Sequence, residues 1–408
     1  MRSGWVETTL GEVTAVNPGR LNGVSPDEVI RYVDISSVSW DGGIDVRSVA
    51  AMPFGQAPGR ARRPINEKDV VVSTVRPRLR AMGQVPPSLA WQVASTGLCV
   101  LRSHDPQVIL PDYVWQVVRH QPFTDWLVER ETGSNYPAVR SSDIEAYRFL
   151  LPPIEDQRRI VDLMRHMDVL VASAVRALYA LRRTQEAALA SQVSIVPDGG
   201  TPLASMVQIT DCEHKTAPTA GEHEGVAGHV IGTPAIRDGR LIHAEARPVN
   251  ASTFAEWTSR RLPQEGDVVL TREAPVGQAA LIREEDGPLC LGQRTVLLSP
   301  DERCDPAFLL AVLMSPAYQE WMRVASVSQT VNRINVKRLG QMPVPAVPTD
   351  EQRAIGLQLR RMLEAEDRGR DEIGQLRTLR SALLATLLTG AHEIPSSYDE
   401  FIRDEGAE

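Results

Sequence analysis

The sequence LPPIEDQRRI at residues 151–160 occurs a second time, with small changes, as AVPTDEQRAI at residues 346–355. Both copies place prolines before an acidic residue, a glutamine and an arginine, and both are followed by a long stretch almost free of glycine and proline. Subtracting the number of Gln157 from that of Gln352 gives an offset of 195 residues. A repeat this much longer than the 20–50 residues of a solenoid unit predicts that each copy contains a whole domain.

Other landmarks follow in the same order in both halves. Trp126 corresponds to Trp321 at the same offset of 195 residues. The offset is also kept by LRRTQEAALA from Leu181 and LRTLRSALLA from Leu376, and it drifts by a few residues for KDVVVSTVRP from Lys68 with GDVVLTREAP from Gly266 and for WDGGI from Trp40 with RDGRL from Arg237. Collinear matches of this kind indicate a duplication with small insertions in loops.

The first part of each copy predicts a mixed α/β domain. Short β-branched runs bounded by turn-forming residues predict strands, namely DVVVSTV from Asp69, GLCVLR from Gly97, DVVLT from Asp267 and RTVLLS from Arg294. Apolar residues at helical spacing predict a helical region at 112–127 and another at 306–322, interrupted by Pro122 and Pro316.

The second part of each copy predicts a long helix with a narrow apolar seam, the first running from Asp156 to Gln192. Apolar residues separated by three and four positions are typical of a coiled coil. The seam residues are Ile160, Leu163, Met167, Leu170 and Leu181 in the first copy, and Ile355, Met362, Ile373, Leu376 and Leu383 in the second. We expect the two helices to pack against each other in antiparallel orientation; packing of each helix on its own domain alone remains the alternative.

These patterns together predict an α+β protein: two mixed α/β domains in a pseudo-twofold tandem repeat, joined by two long antiparallel coiled-coil helices. The predicted segments are a first domain at 1–150, a central helix at 151–196, a second domain at 197–345, a C-terminal helix at 346–392 and an acidic tail at 393–408.

Composition and charge narrow the classes of function. The chain has 408 residues and a formal net charge of -8, which disfavours a protein that coats nucleic acid by bulk electrostatics. Local clusters of arginine must then provide any contact with nucleic acid, and one spans residues 60–80. The sequence has no run of eighteen apolar residues and no secretory signal pattern, so we expect a cytoplasmic protein that does not bind membranes.

The chain resembles the specificity subunit, HsdS, of type I restriction-modification systems over essentially its whole length. The segments that carry the resemblance are WVETTLGEV from Trp5, GSNYPAVRSSDIEAYRFLLPPIEDQRRIV from Gly133, LRSALLATLLTGA from Leu379 and the twice-occurring block IEDQRRI and TDEQRAI. The resemblance implies a subunit without an active site or a cofactor of its own. Each domain is then a target-recognition domain that reads one half of a bipartite, asymmetric site in double-stranded DNA.

The resemblance also implies the partners. The two helices would set the spacer between the half-sites and bind two modification subunits, which are adenine methyltransferases that use S-adenosylmethionine. Restriction subunits, which translocate DNA and use ATP and magnesium, would join this complex.

Base reading requires side chains that hydrogen-bond base edges, with arginine suited to guanine and asparagine or glutamine to adenine. The candidates for DNA contact are Arg76, Arg78, Arg80, Asn135, Tyr136 and Arg140 in the first domain, and Arg272, Gln329, Asn332, Arg333, Asn335 and Lys337 in the second. They lie in loops that differ between the two copies, as expected for readers of different half-sites.

Three alternatives compete with this interpretation. A coiled-coil scaffold or regulator that never reads DNA would need the helices but not two full-sized domains with divergent polar loops. A nuclease site of Asp198, Glu213 and Lys215 is disfavoured because Asp198 lies in a glycine-rich linker. A zinc site of Cys212, His214, His223 and His229 is disfavoured because the spacing fits no standard zinc motif.

Overall fold

The structure is a computed structural model that describes residues 4–19, 21, 23–39, 43–193, 200–221, 223–326 and 332–402. The chain divides into two compact units. Unit 1 consists of Met1–Ser173 and Ile373–Glu408, and unit 2 consists of Ala174–Glu372. Each unit therefore contains one α/β domain together with part of each long helix. In the part of the chain that is described, no helix is both long and apolar enough to cross a membrane.

The domain of unit 1 is built mainly from short strands. The strands are β1 Val6–Thr9, β2 Thr14–Val16, β3 Val29–Val33, β4 Ala50–Pro53, β5 Ala61–Ile65, β6 Val70–Ser73, β7 Met82–Gln84, β8 Gln92–Ser95, β9 Leu98–Ser103 and β10 Arg148–Leu151; the helices are α1 Leu10–Val13, α2 Pro111–Arg119, α3 Gln121–Val128, α4 Ser141–Glu145 and the long α5 Ile154–Gln192. One sheet has the order β2-β9-β6-β7 and is antiparallel throughout. A second has the order β4-β3-β8-β5, in which β3 and β8 are parallel, and β1 pairs with β10.

Unit 2 repeats this plan. Its strands are β11 Thr201–Pro202, β12 Val207–Asp211, β13 Gly228–Ile231, β14 Ile236–Arg237, β15 Arg240–Leu241, β16 Arg247–Val249, β17 Val268–Thr271, β18 Ala279–Leu281, β19 Leu289–Leu291, β20 Thr295–Pro300 and β21 Pro343–Val344; its helices are α6 Ala251–Trp257, α7 Pro306–Met314, α8 Pro316–Ala325, α9 Val336–Gly340 and the long α10 Thr349–Leu388. The sheet β12-β20-β17-β18 corresponds to β2-β9-β6-β7, and the parallel pair β13 and β19 corresponds to β3 and β8. The predicted duplication is therefore confirmed at the level of sheet topology.

The predicted elements inside the domains are also confirmed. The four β-branched runs form β6, β9, β17 and β20, which are the central strands of their sheets and are mostly buried on both faces. Each predicted helical region is a pair of helices broken at its proline. Pro122 lies in the first turn of α3 and Pro316 begins α8, where the missing proline N–H is not needed.

The prolines before α5 are followed by Gln157, a fully buried side chain. Its amide oxygen accepts a hydrogen bond from the N–H of Leu110 at 2.9 Å, and its amide nitrogen donates to the carbonyl oxygens of Val108 and Pro152, both at 2.9 Å. The side chain thus joins the start of the helix to the loop before α2. This role explains why glutamine stands at the centre of the repeated block.

The two long helices pack against each other within each unit. In unit 1, Ile160 and Met164 of α5 share a core with Leu384 and Leu387 of α10. In unit 2, Gln185 hydrogen-bonds the carbonyl of Met362, and Gln192 hydrogen-bonds Gln358, so α5 and α10 run in opposite directions. The structure confirms the antiparallel pairing of the two helices that the sequence predicts.

The predicted seam residues differ in how deeply they are buried. The buried residues are Ile160, Ile355 and Ile373; Leu163, Met167, Leu181, Met362, Leu376 and Leu383 are partly buried. Leu170 is 49% exposed, which corrects its placement in the seam. On α5, Ile160 and Met164 are buried in the unit 1 core, and Leu163 and Met167 pack against that core while partly exposed. Charged residues take some of the remaining seam positions.

In unit 1 the charged residue at the contact between the two long helices is Asp168 of α5. Its carboxylate accepts hydrogen bonds from Arg119 at 2.6 and 3.1 Å and from Arg380 of α10 at 2.6 Å. Arg380 is buried and also donates to Gln116 at 3.2 Å. Burial by itself raises the pKa of Asp168, but the hydrogen bonds and charges of Arg119 and Arg380 outweigh it, so the pKa lies below its usual value. Asp168 therefore joins the domain to both helices.

In unit 2 the charges are reversed, because the acids lie on α10. Arg240 of β15 donates to Asp367 at 2.5 Å and to the carbonyl of Leu363 at 2.6 Å, and it lies 3.4 Å from Glu366. Arg182 of α5 lies 3.7 Å from Glu366. Each domain is thus bound to the helix pair by arginine, but the carboxylate comes from a different helix in each unit.

The described part of the C-terminal tail binds the start of α5 in unit 1. Arg159 donates two hydrogen bonds of 2.6 Å to the carboxylate of Asp399. The hydroxyl of Tyr398 donates to Asp162 at 2.9 Å, and Ile394 is buried in the unit 1 core.

Candidate nucleic-acid interface

In unit 1 two loops with candidate DNA-contacting residues lie side by side. The first follows β6, and the second precedes α4. The N–H of Arg76 donates to the carbonyl of Pro137 at 2.7 Å, and the N–H of Val139 donates to the carbonyl of Thr74 at 2.8 Å. These bonds bring Arg76 and Tyr136 together although sixty residues separate them in the sequence.

Arg76 and Tyr136 form a stacked pair at the surface. The guanidinium carbon of Arg76 lies 4.8 Å from the centre of the Tyr136 ring. Both side chains are exposed, and Tyr136 is 72% exposed. Arg76 has a φ of 49°, in the left-handed region that residues other than glycine rarely adopt.

The other two arginines of this loop bind groups of the domain itself. Arg78 donates to one carboxylate oxygen of Glu131 at 2.9 and 2.7 Å. Arg80 donates to the side chain of Gln121 at 2.7 Å and to the carbonyl of Arg119 at 2.6 Å. Burial lowers the pKa of the Arg80 guanidinium, and the charge of Arg119 lowers it further. The structure therefore places Arg78 and Arg80 as supports of the loop.

Asn135 and Arg140 lie on the second loop and are exposed. The backbone N–H of Arg140 donates to the carboxylate of Asp143 in the first turn of α4 at 2.8 Å.

The corresponding loops of unit 2 are paired in the same way. The N–H of Ile334 donates to the carbonyl of Arg272 at 2.8 Å, and Glu273 and Arg333 form an antiparallel bridge. Asn332, Arg333 and Lys337 are exposed there. Asn335 caps α9 by accepting a hydrogen bond from the N–H of Lys337 at 2.8 Å. Gln329 lies outside the described residues.

The structure corrects the placement of Arg272 among the surface residues of this loop. Its side chain is 9% exposed and lies 3.2 Å from the Asp211 carboxylate. Its other guanidinium nitrogen contacts Nδ1 of His214 at 3.1 Å. The charge of Asp211 offsets the cost of burying the Arg272 guanidinium, which therefore has little contact with solvent.

Each domain also has an arginine–tryptophan pair near these loops that sequence reasoning did not identify. Arg130 lies 3.1 Å from the ring centre of Trp126, and Arg338 lies 5.4 Å from that of Trp321. The signal that could have found these pairs was the recurrence of tryptophan at the same offset in both copies.

Two residues of the alternative nuclease site form ion pairs with other residues of the domain. Glu213 forms an ion pair with Arg260 at 3.1 Å, and Lys215 binds Glu256 at 2.5 Å. Asp198 lies outside the described residues. Among the residues that the structure describes, no group of three or more histidine, cysteine, aspartate or glutamate side chains could hold a metal ion.

No protein-family model and no curated protein sequence matches this chain. Solved structures do. A chain from a study of complex assembly and conformational transition of the type I R-M system aligns over 96% of this chain and 99% of its own length, with 25% identity and a TM-score of 0.61. The S subunit of the type I restriction-modification system from M. genitalium aligns over 96% and 97%, with 13% identity and a TM-score of 0.50. The HsdS subunit from Thermoanaerobacter tengcongensis aligns over 96% and 98%, with 26% identity and a TM-score of 0.43.

The first two likenesses extend over both domains and both long helices. Over nearly its entire length, the chain has the fold of the specificity subunits of type I restriction-modification systems, the family that its sequence motifs resemble.

Proposed function

We propose that this chain is the DNA-specificity subunit of a type I restriction-modification complex and has no catalytic role of its own. Each domain reads one half of a bipartite, asymmetric site in double-stranded DNA. The observation that carries the proposal is the repeat itself: two domains of the same topology present, at matching places, surface loops of different chemistry. The stacked pair of Arg76 and Tyr136 occupies the loops of the first domain, whereas Asn332, Arg333 and Lys337 are exposed on those of the second.

The helices supply the spacing between the half-sites. An α-helix of 39 residues, the length of α5, is roughly 58 Å long at about 1.5 Å per residue. Because a rigid helix holds the two domains at a fixed distance, the number of base pairs between the two half-sites is fixed as well. The same helices bind two modification subunits, on which S-adenosylmethionine is bound, and restriction subunits that use ATP and magnesium complete the complex. The net charge of -8 supports a complex in which the partner subunits provide further contacts with DNA phosphates.

The test is to co-express the full chain with its cognate adenine methyltransferase and to map methylated adenines across the host genome by single-molecule sequencing. The expected result is a bipartite motif with a fixed gap. Replacing Asn332 and Arg333 together by alanine should change only one half of that motif.

Two outcomes contradict the proposal. A change in both halves would refute the assignment of one half-site to each domain. A soluble chain that forms no complex with the methyltransferase and yields no methylation would favour the scaffold or regulator instead.

A further inference from the structure

Arg76 differs from the other arginines of its loop in what its side chain contacts. Arg78 binds Glu131, and Arg80 binds Gln121 and a backbone carbonyl. Among the described residues, the guanidinium of Arg76 contacts the ring of Tyr136 and forms no ion pair. Its N–H groups therefore remain available for a ligand.

The backbone holds Arg76 in a strained conformation. Its φ of 49° is left-handed, and Arg80 at the other end of the short turn has a φ of 53°. The N–H of Arg76 donates to Pro137 and its carbonyl accepts from Leu79 at 2.9 Å, so both ends of the residue are fixed. Residues other than glycine rarely adopt this conformation, and those that do are found preferentially at binding sites.

The tyrosine ring orients the guanidinium. Contact with the face of an aromatic ring restricts the rotation of a guanidinium group without using its N–H donors, which can still bind a ligand. Two parallel donors along one edge of the guanidinium match the O6 and N7 acceptors of guanine in the major groove. A phosphate contact would require only the positive charge, which a flexible lysine or arginine provides without strain or stacking.

We infer that Arg76 reads a guanine in the half-site of the first domain, and that Tyr136 is the positioning residue that holds its guanidinium in the plane of the base. This inference rests on the proposed function and adds a specific base and a specific residue to it. In the second domain the matching segment is EAP at 273–275, with Ala274 in the place of Arg76. This guanine contact therefore belongs to one half of the motif alone.

The experiment uses the full chain co-expressed with its methyltransferase, with methylation mapped as above for the wild type, Arg76→Ala, Arg76→Lys, Tyr136→Ala and Tyr136→Phe. Arg47→Ala is the matched control, since Arg47 is an exposed arginine of the same unit. Co-purification of the complex verifies that each variant folds and assembles.

Both Arg76 variants should keep the gap and the other half of the motif while losing at least tenfold preference at one G·C pair. Tyr136→Ala should weaken the same position, and Tyr136→Phe, which keeps the ring, should restore it. Arg47→Ala should leave the motif unchanged.

Three results overturn the inference. The first is an unchanged motif in Arg76→Ala. The second is a loss of methylation in Arg76→Ala that is equal at every site and is reversed in Arg76→Lys. The third is a loss of preference at an A·T pair. The second result identifies a phosphate contact. Absence of any bipartite motif with the wild-type chain refutes the proposed function itself, which distinguishes the two failures.

Discussion

Gln157 and Gln352 make the same three hydrogen bonds in the two halves of the molecule. Gln352 accepts from the N–H of Asp305 at 2.9 Å and donates to the carbonyls of Arg303 at 3.1 Å and Val347 at 2.8 Å. These partners are the counterparts, 195 residues later, of Leu110, Val108 and Pro152. The duplication has therefore kept individual hydrogen bonds as well as topology.

Replacing Gln157 by leucine should destabilise unit 1. The substitution leaves one N–H and two carbonyl groups without a partner in a buried place, and each buried unsatisfied group costs about 1–3 kcal/mol. We expect a loss of about 3 kcal/mol in the free energy of unfolding, measured by urea denaturation of the full chain. Gln375→Leu, at an exposed glutamine of α10 in the same unit, is the control and should change it by less than about 0.5 kcal/mol. Equal effects of the two substitutions would contradict the role assigned to Gln157.

Replacing Asp168 by asparagine should destabilise the contact between α2, α5 and α10. Arg119 and Arg380 then lie close together without the carboxylate that both bind. Because Asp168 is 35% exposed, we expect a moderate loss of about 1–3 kcal/mol. Asp350→Asn, at a carboxylate 98% exposed on α10, is the control and should have little effect.

The same carboxylate should contribute to the acid sensitivity of the fold. Since Arg119 and Arg380 hold the pKa of Asp168 below its usual value despite burial, the carboxylate stabilises the folded state at neutral pH. This contribution should decline as the pH falls below about 4 and through the lowered pKa. Urea denaturation between pH 3 and 7 should show a smaller dependence on pH for Asp168→Asn than for the wild type. Parallel curves would contradict the prediction.

Replacing Arg240 by glutamine should destabilise unit 2. Its side chain is 10% exposed and neutralises Asp367 and Glu366 on α10. Loss of one partner from a buried ion pair typically costs about 3–5 kcal/mol, and we expect a value near the lower end because Asp367 is 40% exposed. Arg237→Gln, at an exposed arginine of the same hairpin, is the control. Thermal unfolding of the two variants should differ by several degrees, and coincident transitions would refute the assignment.

Replacing Asp399 by asparagine should release the C-terminal tail without unfolding the domain. The hydrogen bonds from Arg159 lower the pKa of Asp399, so the contact should persist at neutral pH and weaken in acid as the carboxylate takes up a proton. Hydrogen exchange should become faster at residues 395–402 in the variant. Glu400→Gln, beside it in the sequence and exposed, should leave exchange unchanged. Protection that is equal in wild type and Asp399→Asn would show that the ion pair does not hold the tail.

The repeat made much of the fold predictable. Strands at β6, β9, β17 and β20, helix breaks at Pro122 and Pro316, and two antiparallel long helices all follow from patterns that the sequence shows twice. The seam was less predictable, because hydrophobic spacing cannot identify a buried charge. Asp168 and Arg380 occupy seam positions only because each neutralises the other across more than two hundred residues of sequence.

The sequence was likewise insufficient to predict the surroundings of the candidate DNA-contacting residues. The sequence marks Arg76, Arg78 and Arg80 as one basic cluster, but their different surroundings depend on residues that approach only in the folded domain. Arg272 is the extreme case, since Asp211 removes it from the surface. Residue type and loop position indicated where to search, and long-range partners separated exposed arginines from supporting ones.

The division of the chain has a consequence for its synthesis. Unit 2 is one continuous stretch, Ala174–Glu372, whereas unit 1 combines Met1–Ser173 with Ile373–Glu408. On the ribosome the first domain therefore emerges with Ile160 and Met164 uncovered, and Leu384 and Leu387 follow about 200 residues later, after roughly 10–40 s at about 5–20 residues per second. The half of the protein that is made first is thus completed last. We therefore expect a premature stop before Leu384 to destabilise the N-terminal domain, because the core of unit 1 would then lack its α10 residues.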